Sequence, residues 1–263
     1  MTVFAKLAAF DPLLVYILII GFFLGFSLAL SFATRRYIDN QTRRGHNDIA
    51  GYIFTTVGAI YGVFLAFLTV IVWQNYNQAA DNVTKGASAS LALYRNLCLY
   101  PNQEQAGPAA ETLLALIHST ITDEFPAMAE GKRSQAADQI TDRLWTEVKK
   151  LNPQNFREQV LFQEILQHLN TMVQLRIDRV GMAMNPRFSG LMGYALTVGA
   201  LITLISALLF GADNFWWQIA LTSMLIVLVA TILFVLIQLA HPFSSQVGVT
   251  PSDYREVLKL IKN

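Results

Sequence analysis

The sequence predicts an all-α membrane protein in which four transmembrane helices are arranged two and two around an amphipathic helical middle segment. Of its 263 residues, 54% are hydrophobic and only 14% are charged, whereas ordinary soluble domains contain roughly 25% charged residues. Four stretches lack Asp, Glu, Lys and Arg altogether, and each exceeds the about 20 residues that a membrane-spanning helix needs. These stretches are Pro12–Thr34, Ile49–Ala80, Phe188–Ala212 and Asn214–Ala240.

The first hairpin is predicted to occupy residues 1–80, with spans over about 12–34 and 49–76. Its first apolar stretch is followed directly by Thr34-Arg35-Arg36, and no small-residue cleavage pattern follows it. A removable signal peptide would carry such a pattern, so we interpret the stretch as a retained transmembrane helix.

The charged middle segment, residues 81–187, is predicted to form an extramembrane domain of three or four helices. Apolar side chains recur at helical spacing in two stripes, which comprise Leu113, Leu114, Ile117, Ile121 and Phe125, and then Phe162, Ile165, Leu166, Leu169, Val173, Ile177 and Val180. Asn152 followed by Pro153 is a typical helix start. A domain this small is marginally stable alone, which favours packing against other copies of the chain.

The second hairpin is predicted over residues 188–241, with spans over about 189–211 and 215–240. The tail, residues 242–263, contains a helix start signal at Thr250-Pro251-Ser252. We expect a short amphipathic helix after it.

Small residues line one face of the first two spans. They are Gly21, Gly25, Ala29 and Ala33 in the first, and Gly51, Thr55, Gly58, Gly62, Ala66 and Thr69 in the second. Such faces allow close helix contact within a bundle or an oligomer.

The distribution of basic residues predicts the orientation. The short linker from Arg35 to Arg44 contains four arginines, and dense basic residues in a short loop favour the cytoplasmic side. We therefore expect a multi-pass membrane protein with residues 81–187 outside the cytoplasm. The raw count of basic residues near the other span ends and in the tails favours the opposite orientation.

Several classes of function are not expected. The net charge is +1, and no basic run resembles a nucleic-acid-binding arm. The spans contain none of the acidic or basic residues that proton relays, ion-coupled carriers or voltage sensors use. No metal-ligand spacing, phosphate loop or nucleophile motif is present in the sequence. We therefore expect the protein to bind no metal or cofactor and to have no enzymatic activity. Cys98, the only cysteine, cannot form an intrachain disulfide.

The second span carries the clearest candidate for a conducting path. Ile60, Phe64 and Leu68 recur every four residues, and Phe67 lies beside them. An apolar ring built from several copies of such a face would form a constriction that gates by dewetting. The alternative interpretation is that these side chains only contact lipid.

Other side chains fit the same interpretation. Thr55 and Thr56 would offer hydroxyls to a partly dehydrated ion, and Trp73 and Tyr76 are predicted to anchor the span at the membrane interface. Four arginines would concentrate anions at one mouth of the pore: Arg35, Arg36, Arg43 and Arg44. A topology signal alone is the stronger explanation of these arginines.

The segment from Phe64 to Tyr76 resembles the second transmembrane helix of bestrophin anion channels, which carries paired phenylalanines and ends in a cluster of Trp, Asn, Gln and Tyr. The whole chain is more similar to the bacterial bestrophin-like family of unknown function. The positions that match are His46-Asn47, Gly51, Gly58 with Tyr61, Phe67, Trp73, Leu93-Tyr94-Arg95 and Pro242-Phe243-Ser244.

This resemblance implies a multi-pass protein of the bacterial inner (cytoplasmic) membrane, a homo-oligomer in the lipid bilayer that conducts an inorganic anion passively through a central pore. Several features depart from bestrophins. Their neck phenylalanines lie four residues apart, whereas here Leu68 follows Phe64 at that spacing and the second phenylalanine is Phe67. The tail lacks an acidic cluster resembling the bestrophin calcium clasp, so calcium activation is not expected. Bestrophins also keep their middle segment in the cytosol, in contrast to the orientation that arginine density predicts.

The alternative function is a non-conducting scaffold or an accessory subunit of a larger membrane complex. In that case residues 81–187 would bind a protein partner, and the small-residue faces would dock the spans into the assembly.

Overall fold

The computed structural model describes residues 10–37, 40–185, 190–211, 214–244 and 248–262, and these residues form helices and turns but no strand. Within them lie ten α-helices and one π-helical turn, Thr120–Glu124. The α-helices are α1 (Pro12–Tyr37), α2 (Asn40–Gly45), α3 (Asn47–Leu99), α4 (Gln103–Ser119), α5 (Phe125–Ala129), α6 (Gln135–Val148), α7 (Phe156–Met184), α8 (Gly190–Leu208), α9 (Phe215–Ala240) and α10 (Ser252–Lys262).

Four of these helices, α1, α3, α8 and α9, are long and apolar enough to cross a membrane. The predicted all-α fold class with four spans is therefore confirmed. The predicted start of the third span at residue 189 lies outside the described residues, as do the predicted segment ends at 1, 187, 188 and 263.

The chain divides into two compact units. We call residues 1–74 with 188–240 the transmembrane unit, and residues 75–187 with 241–263 the helical unit. Helix α3 contributes to both, because it continues without a break for 53 residues.

The transmembrane unit is built around one apolar core, to which α3 contributes Tyr61, Leu65, Leu68 and Val72. Two hydrogen-bonded contacts show how polar groups in this unit find partners within the chain, as a bilayer favours. The hydroxyl of Tyr61 donates a hydrogen bond to the carbonyl of Leu196 at 3.0 Å. Asn47 exchanges two hydrogen bonds with the backbone of Gly211, at 3.0 and 2.9 Å. This pairing satisfies the backbone of Gly211, which follows the end of α8.

Four of the five glycines on the predicted small-residue faces are open within one chain, since a Cβ at Gly21, Gly25, Gly58 or Gly62 would meet no atom within 4 Å, whereas one at Gly51 would contact the ring of Phe210 at 3.8 Å. The tight approach occurs instead at Gly199, where a Cβ would lie 2.5 Å from the ring of Tyr61. The helix faces that contact each other inside one chain therefore differ from the faces that the small residues favour.

Gly199→Leu is expected to destabilise the transmembrane unit by about 1–3 kcal/mol, the usual cost of overpacking, because α8 and α3 must separate to admit the side chain. The midpoint of thermal unfolding in detergent measures this. Ala195→Leu is the control, since Ala195 is exposed on the same helix. Equal midpoints for the two variants would contradict the tight contact between Gly199 and Tyr61.

Helix α7 of the helical unit begins three residues later than the sequence predicts. Its N-cap is Asn155, not Asn152: the Asn155 side chain accepts from the backbone N–H of Glu158 at 2.9 Å. The Glu158 carboxylate in turn accepts from the backbone N–H of Gln154 at 2.7 Å. This reciprocal arrangement is a capping box displaced by one residue, and it outweighs the start signal at Pro153.

The second predicted stripe is rotated in the structure. Ile165, Leu169 and Val180 are buried as expected, but Ile177 is 52% exposed. Arg176 and Arg179 are buried on this face of α7 instead. Two charges thus lie where the pattern favours only apolar side chains.

Candidate pore face and buried ion cluster

The predicted constriction residues on α3 do not share one face. Ile60 and Phe67 are both 68% exposed and Phe64 is half-buried, whereas Leu68 is 4% exposed and packs in the core of the transmembrane unit. Each four-residue step turns an α-helix about 40° past a full turn, so Leu68 has rotated onto the packed side. The prediction of a shared face is wrong for Leu68.

The exposed side of α3 carries two further apolar side chains that the sequence interpretation missed. Val63 and Val70 are 58% and 54% exposed. Together with Ile60 and Phe67 they recur at steps of three and four, the spacing of a straight helical stripe. We call these four residues the apolar ridge. It lies across the helix from the buried Leu65 and the rest of the packed side.

The predicted polar residues lie at the helix surface. Thr55 and Thr56 are exposed, but the hydroxyl of Thr56 donates to the carbonyl of Tyr52 at 2.9 Å. While that bond holds, Thr56 has no proton for an anion. Trp73 is 53% exposed and Tyr76 is half-buried.

The four predicted mouth arginines differ in exposure. Arg35, Arg36 and Arg44 are exposed, whereas Arg43 is only 7% exposed. Burial of Arg43 conflicts with its predicted place among charges that face an aqueous mouth. The guanidinium carbon of Arg35 lies 4.7 Å from the ring centroid of Phe215, a cation–π contact that orients this side chain.

A buried ion cluster occupies the helical unit. Glu124, at the end of the π-helical turn, is fully buried and accepts hydrogen bonds from Arg176 and Arg179. Arg176 also donates to Asp138 at 2.8 Å, and Arg179 donates to the hydroxyl of Tyr254 at 2.7 Å. Each buried charge therefore meets an opposite charge, as burial requires.

The cluster joins segments that are distant along the chain. Arg176 and Arg179 lie 52 and 55 residues after Glu124, and Tyr254 belongs to α10 in the tail. A Cβ at Gly86 of α3 would lie 2.6 Å from the Tyr254 hydroxyl, so only glycine leaves room for that hydroxyl. Two arginines three residues apart on an apolar helix face were the sequence signal that could have revealed the cluster.

Asp138 connects the cluster to solvent. Burial opposes its ionisation, but hydrogen bonds from Arg133 and Arg176, at 2.6 and 2.8 Å, outweigh that effect and lower its pKa below the ordinary value. A carboxylate with a lowered pKa in the folded state stabilises the fold at neutral pH. This stability is lost as the pH falls from the unfolded pKa of about 3.9 through the folded value.

Acid is therefore expected to lower the unfolding midpoint of the native protein, with the fall beginning near pH 4, and Asp138→Asn is expected to remove part of that dependence. Thermal unfolding between pH 7 and pH 3 measures how the midpoint of each protein changes with pH. If Asp138→Asn has the same midpoint as the native protein at pH 7 and the same decrease in acid, the ion pairs of Asp138 contribute nothing to stability.

The part of the chain that the structure describes contains no group of three His, Cys, Asp or Glu side chains able to hold a metal ion. Four helices long and apolar enough to cross a membrane, an exposed apolar ridge and a buried ion cluster in the helical unit are its distinguishing features.

A sequence model of the Bestrophin-like domain matches residues 21–254. The chain belongs to the Bestrophin-like family. The match extends from α1 to Tyr254, so it contains nearly all of the four apolar helices and the complete ion cluster. The resemblance found in the sequence is thereby confirmed, and this bestrophin-like chain is a multi-pass membrane protein.

Solved structures share the fold at low sequence identity. Two single-substitution variants of a bacterial bestrophin homologue from Klebsiella pneumoniae align with TM-scores of 0.67 and 0.66, each at 14% identity. The alignments cover 94% and 93% of the bestrophin-like chain and 99% of each Klebsiella chain. No curated protein matches the sequence.

Proposed function

We propose that this bestrophin-like protein is a homo-oligomeric channel that conducts inorganic anions passively, with the apolar ridge of α3 surrounding a central pore. The exposed apolar ridge of α3 is the main support for this proposal. Val63 and Phe67 point away from the packed side of α3 and meet no core of their own chain. An apolar ring of this kind would close a narrow pore to ions by dewetting.

One copy cannot enclose a pore, so the proposal requires several copies around an axis. The open glycines support this requirement. Gly21 and Gly25 on α1, and Gly58 and Gly62 on α3, have free space beside them within one chain. Such positions permit close contact with helices of neighbouring copies.

The charge at one mouth would come from Arg35, Arg36 and Arg44, whose exposed guanidinium groups raise the local anion concentration. We place this short linker in the cytoplasm of a bacterial cell and the helical unit outside it, following arginine density. Protection of a tag on the tail from protease in intact spheroplasts would instead place the helical unit in the cytosol. We propose no enzymatic activity.

A non-conducting scaffold is the second candidate, because the helical unit exposes large apolar side chains. Phe156 is 80% exposed and Leu99 is 61% exposed. A protein partner that covered them would give the helical unit a docking role.

The mass of the purified complex and chloride efflux from proteoliposomes separate these functions. The channel proposal expects a complex of several identical chains and efflux well above that of empty liposomes. A monomer, a stable complex with a different protein, or well-folded oligomers without efflux across pH would contradict the channel and favour the scaffold.

A further inference from the structure

A small cavity lies beside the ion cluster of the helical unit. It has about 10 Å³ of space for the centre of a sphere of water size, and one water molecule needs roughly 10–15 Å³ on that measure. Every lining residue is at most 5% exposed. Five of the lining residues are polar: Ser90, Thr120, Arg176, Arg179 and Tyr254. The cavity therefore lies among buried polar side chains and has room for one water molecule, but too little for a larger ligand.

Arg179 contributes a hydrogen-bond donor that the ion pairs do not use. Its two terminal nitrogens donate to Tyr254 and Glu124, but its Nε is buried and has no hydrogen-bond partner among the described residues. Arg179 is 1% exposed, so bulk solvent does not reach this N–H group. A buried donor without a partner is costly, and folded proteins usually satisfy such a group with protein or with an ordered water.

The hydroxyl of Tyr254 contributes a second donor. Its oxygen accepts a hydrogen bond from Nη1 of Arg179 at 2.7 Å, and the hydrogen bonds of the described residues give its own proton no acceptor. The hydroxyl is held against α3, because a Cβ at Gly86 would lie 2.6 Å from its oxygen. Two residues of the cavity lining thus each have one N–H or O–H group left to donate.

Two other lining residues contribute acceptors. The Ser90 hydroxyl donates to the carbonyl of Gly86 at 2.8 Å, and the Thr120 hydroxyl donates to that of Leu116 at 2.8 Å. A hydroxyl oxygen whose proton is used in this way still accepts through its lone pairs. The lining therefore combines two donors with two acceptors. One water molecule, with two lone pairs and two protons, complements all four.

We propose that this cavity binds a single buried water molecule that is a structural part of the ion cluster. The water accepts from the Nε–H of Arg179 and the hydroxyl of Tyr254, and it donates to the oxygens of Ser90 and Thr120. These contacts join α3, the π-helical turn, α7 and α10, so the water helps to hold the tail helix on the helical unit. The inference does not depend on conduction, and it stands or falls separately from the channel proposal.

A halide ion is the alternative occupant, since it would accept hydrogen bonds from the same two donors. The charges of the cluster argue against it. The buried guanidinium groups of Arg176 and Arg179 already face the carboxylates of Glu124 and Asp138, so an added anion would be a buried charge without a partner of its own. The two hydroxyl oxygens of the lining also present lone pairs, which repel an anion and attract the protons of water.

A crystal structure at a resolution that shows ordered waters tests the occupant directly, with protein purified in bromide in place of chloride. We expect one density peak in the cavity, within hydrogen-bonding distance of Nε of Arg179 and the hydroxyl of Tyr254, and no anomalous signal from bromide at that peak. A bromide signal would replace the water site by an anion site. A cavity without any peak would show that it is dry, and either result would overturn the inference.

Two substitutions of Ser90 test the same inference in detergent solution. Ser90→Ala leaves space for the water, whereas Ser90→Val puts a methyl group into the cavity, displaces the water and leaves the Nε–H of Arg179 unsatisfied. The midpoint of thermal unfolding of Ser90→Val should therefore lie roughly 5 °C below that of Ser90→Ala. The same pair of substitutions at Ser88, which is exposed on α3, corrects for the lower helix propensity of valine.

The opposite order of midpoints would contradict the water site. If Ser90→Val is as stable as Ser90→Ala or more stable after the correction from Ser88, the added methyl group fills dry space and gains contacts there. A crystal structure of Ser90→Val separates loss of the water from overpacking, since we expect the density peak to disappear while the backbone of α3 stays in place.

Discussion

Phe67→Ala is expected to accelerate chloride efflux from proteoliposomes on the order of tenfold, the factor that corresponds to lowering a barrier by about 1.4 kcal/mol. Phe67 is the largest side chain of the apolar ridge, and it is 68% exposed within one chain. In an oligomer the substitution would be repeated in every copy, so the whole ring would widen at one level. A wider apolar ring holds water more readily and therefore passes ions more easily.

Phe22→Ala is the matched control, because Phe22 is 60% exposed on α1 and the same atoms are removed. We expect native efflux from this variant. Leu68→Ala tests the corrected face: Leu68 packs inside the transmembrane unit, so its truncation should lower stability rather than widen a pore. Equal acceleration by Phe67→Ala and Phe22→Ala would indicate leakage of a loosened protein, and would contradict a gate at Phe67.

Glu124→Leu is expected to destabilise the helical unit by about 3–5 kcal/mol, because it leaves a buried charge without its partner. Arg179 is 1% exposed and, of the acidic residues, pairs only with Glu124 among the contacts of the described residues. Arg176 retains its bond to Asp138. Thermal unfolding in detergent, followed by circular dichroism, measures the shift, which should be roughly 10 °C for a protein of this size.

A double variant distinguishes the effect of an unpaired buried charge from general misfolding. Replacing Glu124 and Arg179 together by leucine removes both charges, and apolar replacement of a buried pair is often nearly neutral. The double variant should therefore recover much of the midpoint lost in Glu124→Leu. Glu130→Gln, which breaks an exposed pair with Lys132, should leave the midpoint unchanged. A double variant less stable than Glu124→Leu would contradict the buried-charge explanation.

The positions of the membrane spans could be predicted from the sequence because long uncharged runs have one dominant physical cause. A charged side chain within the bilayer is costly, so a run such as the one within α9 marks a span without any knowledge of packing. The family resemblance was similarly accessible, since it depends on local patterns around Phe67 and Trp73.

The side of α3 that packs against its own chain could not be predicted in the same way. The sequence from Ile60 to Leu68 is apolar all round, so its pattern does not distinguish the core from the exposed ridge. Which side of α3 is buried is decided by its contacts with α8 and α9. One example is the hydrogen bond that the Tyr61 hydroxyl donates to the backbone carbonyl of Leu196. Only the tertiary structure shows that Leu68 and Phe67, adjacent in sequence, have opposite environments.

The ion cluster could not be predicted from the sequence for a related reason. Arg176 and Arg179 are ordinary surface residues by composition, and their burial is favourable only because Glu124 approaches from a distant segment. The neutralising partner cannot be identified from the local sequence of α7. The displaced start of this helix has a smaller cause, since Asn152 and Asn155 are both good N-caps and Glu158 completes the capping box only with the second.

Aqueous access to position 67 is the measurement that tests the proposed pore most directly. In a Cys98→Ser background, which removes the exposed native thiol, Phe67→Cys would be treated with a charged, membrane-impermeant thiol reagent during chloride efflux, with Phe22→Cys as the control. We expect the thiol introduced at position 67 to be modified and the modification to change efflux, while the control does not react. An unreactive thiol at position 67 in a conducting oligomer would mean that the apolar ridge faces lipid, and would contradict a pore lined by α3.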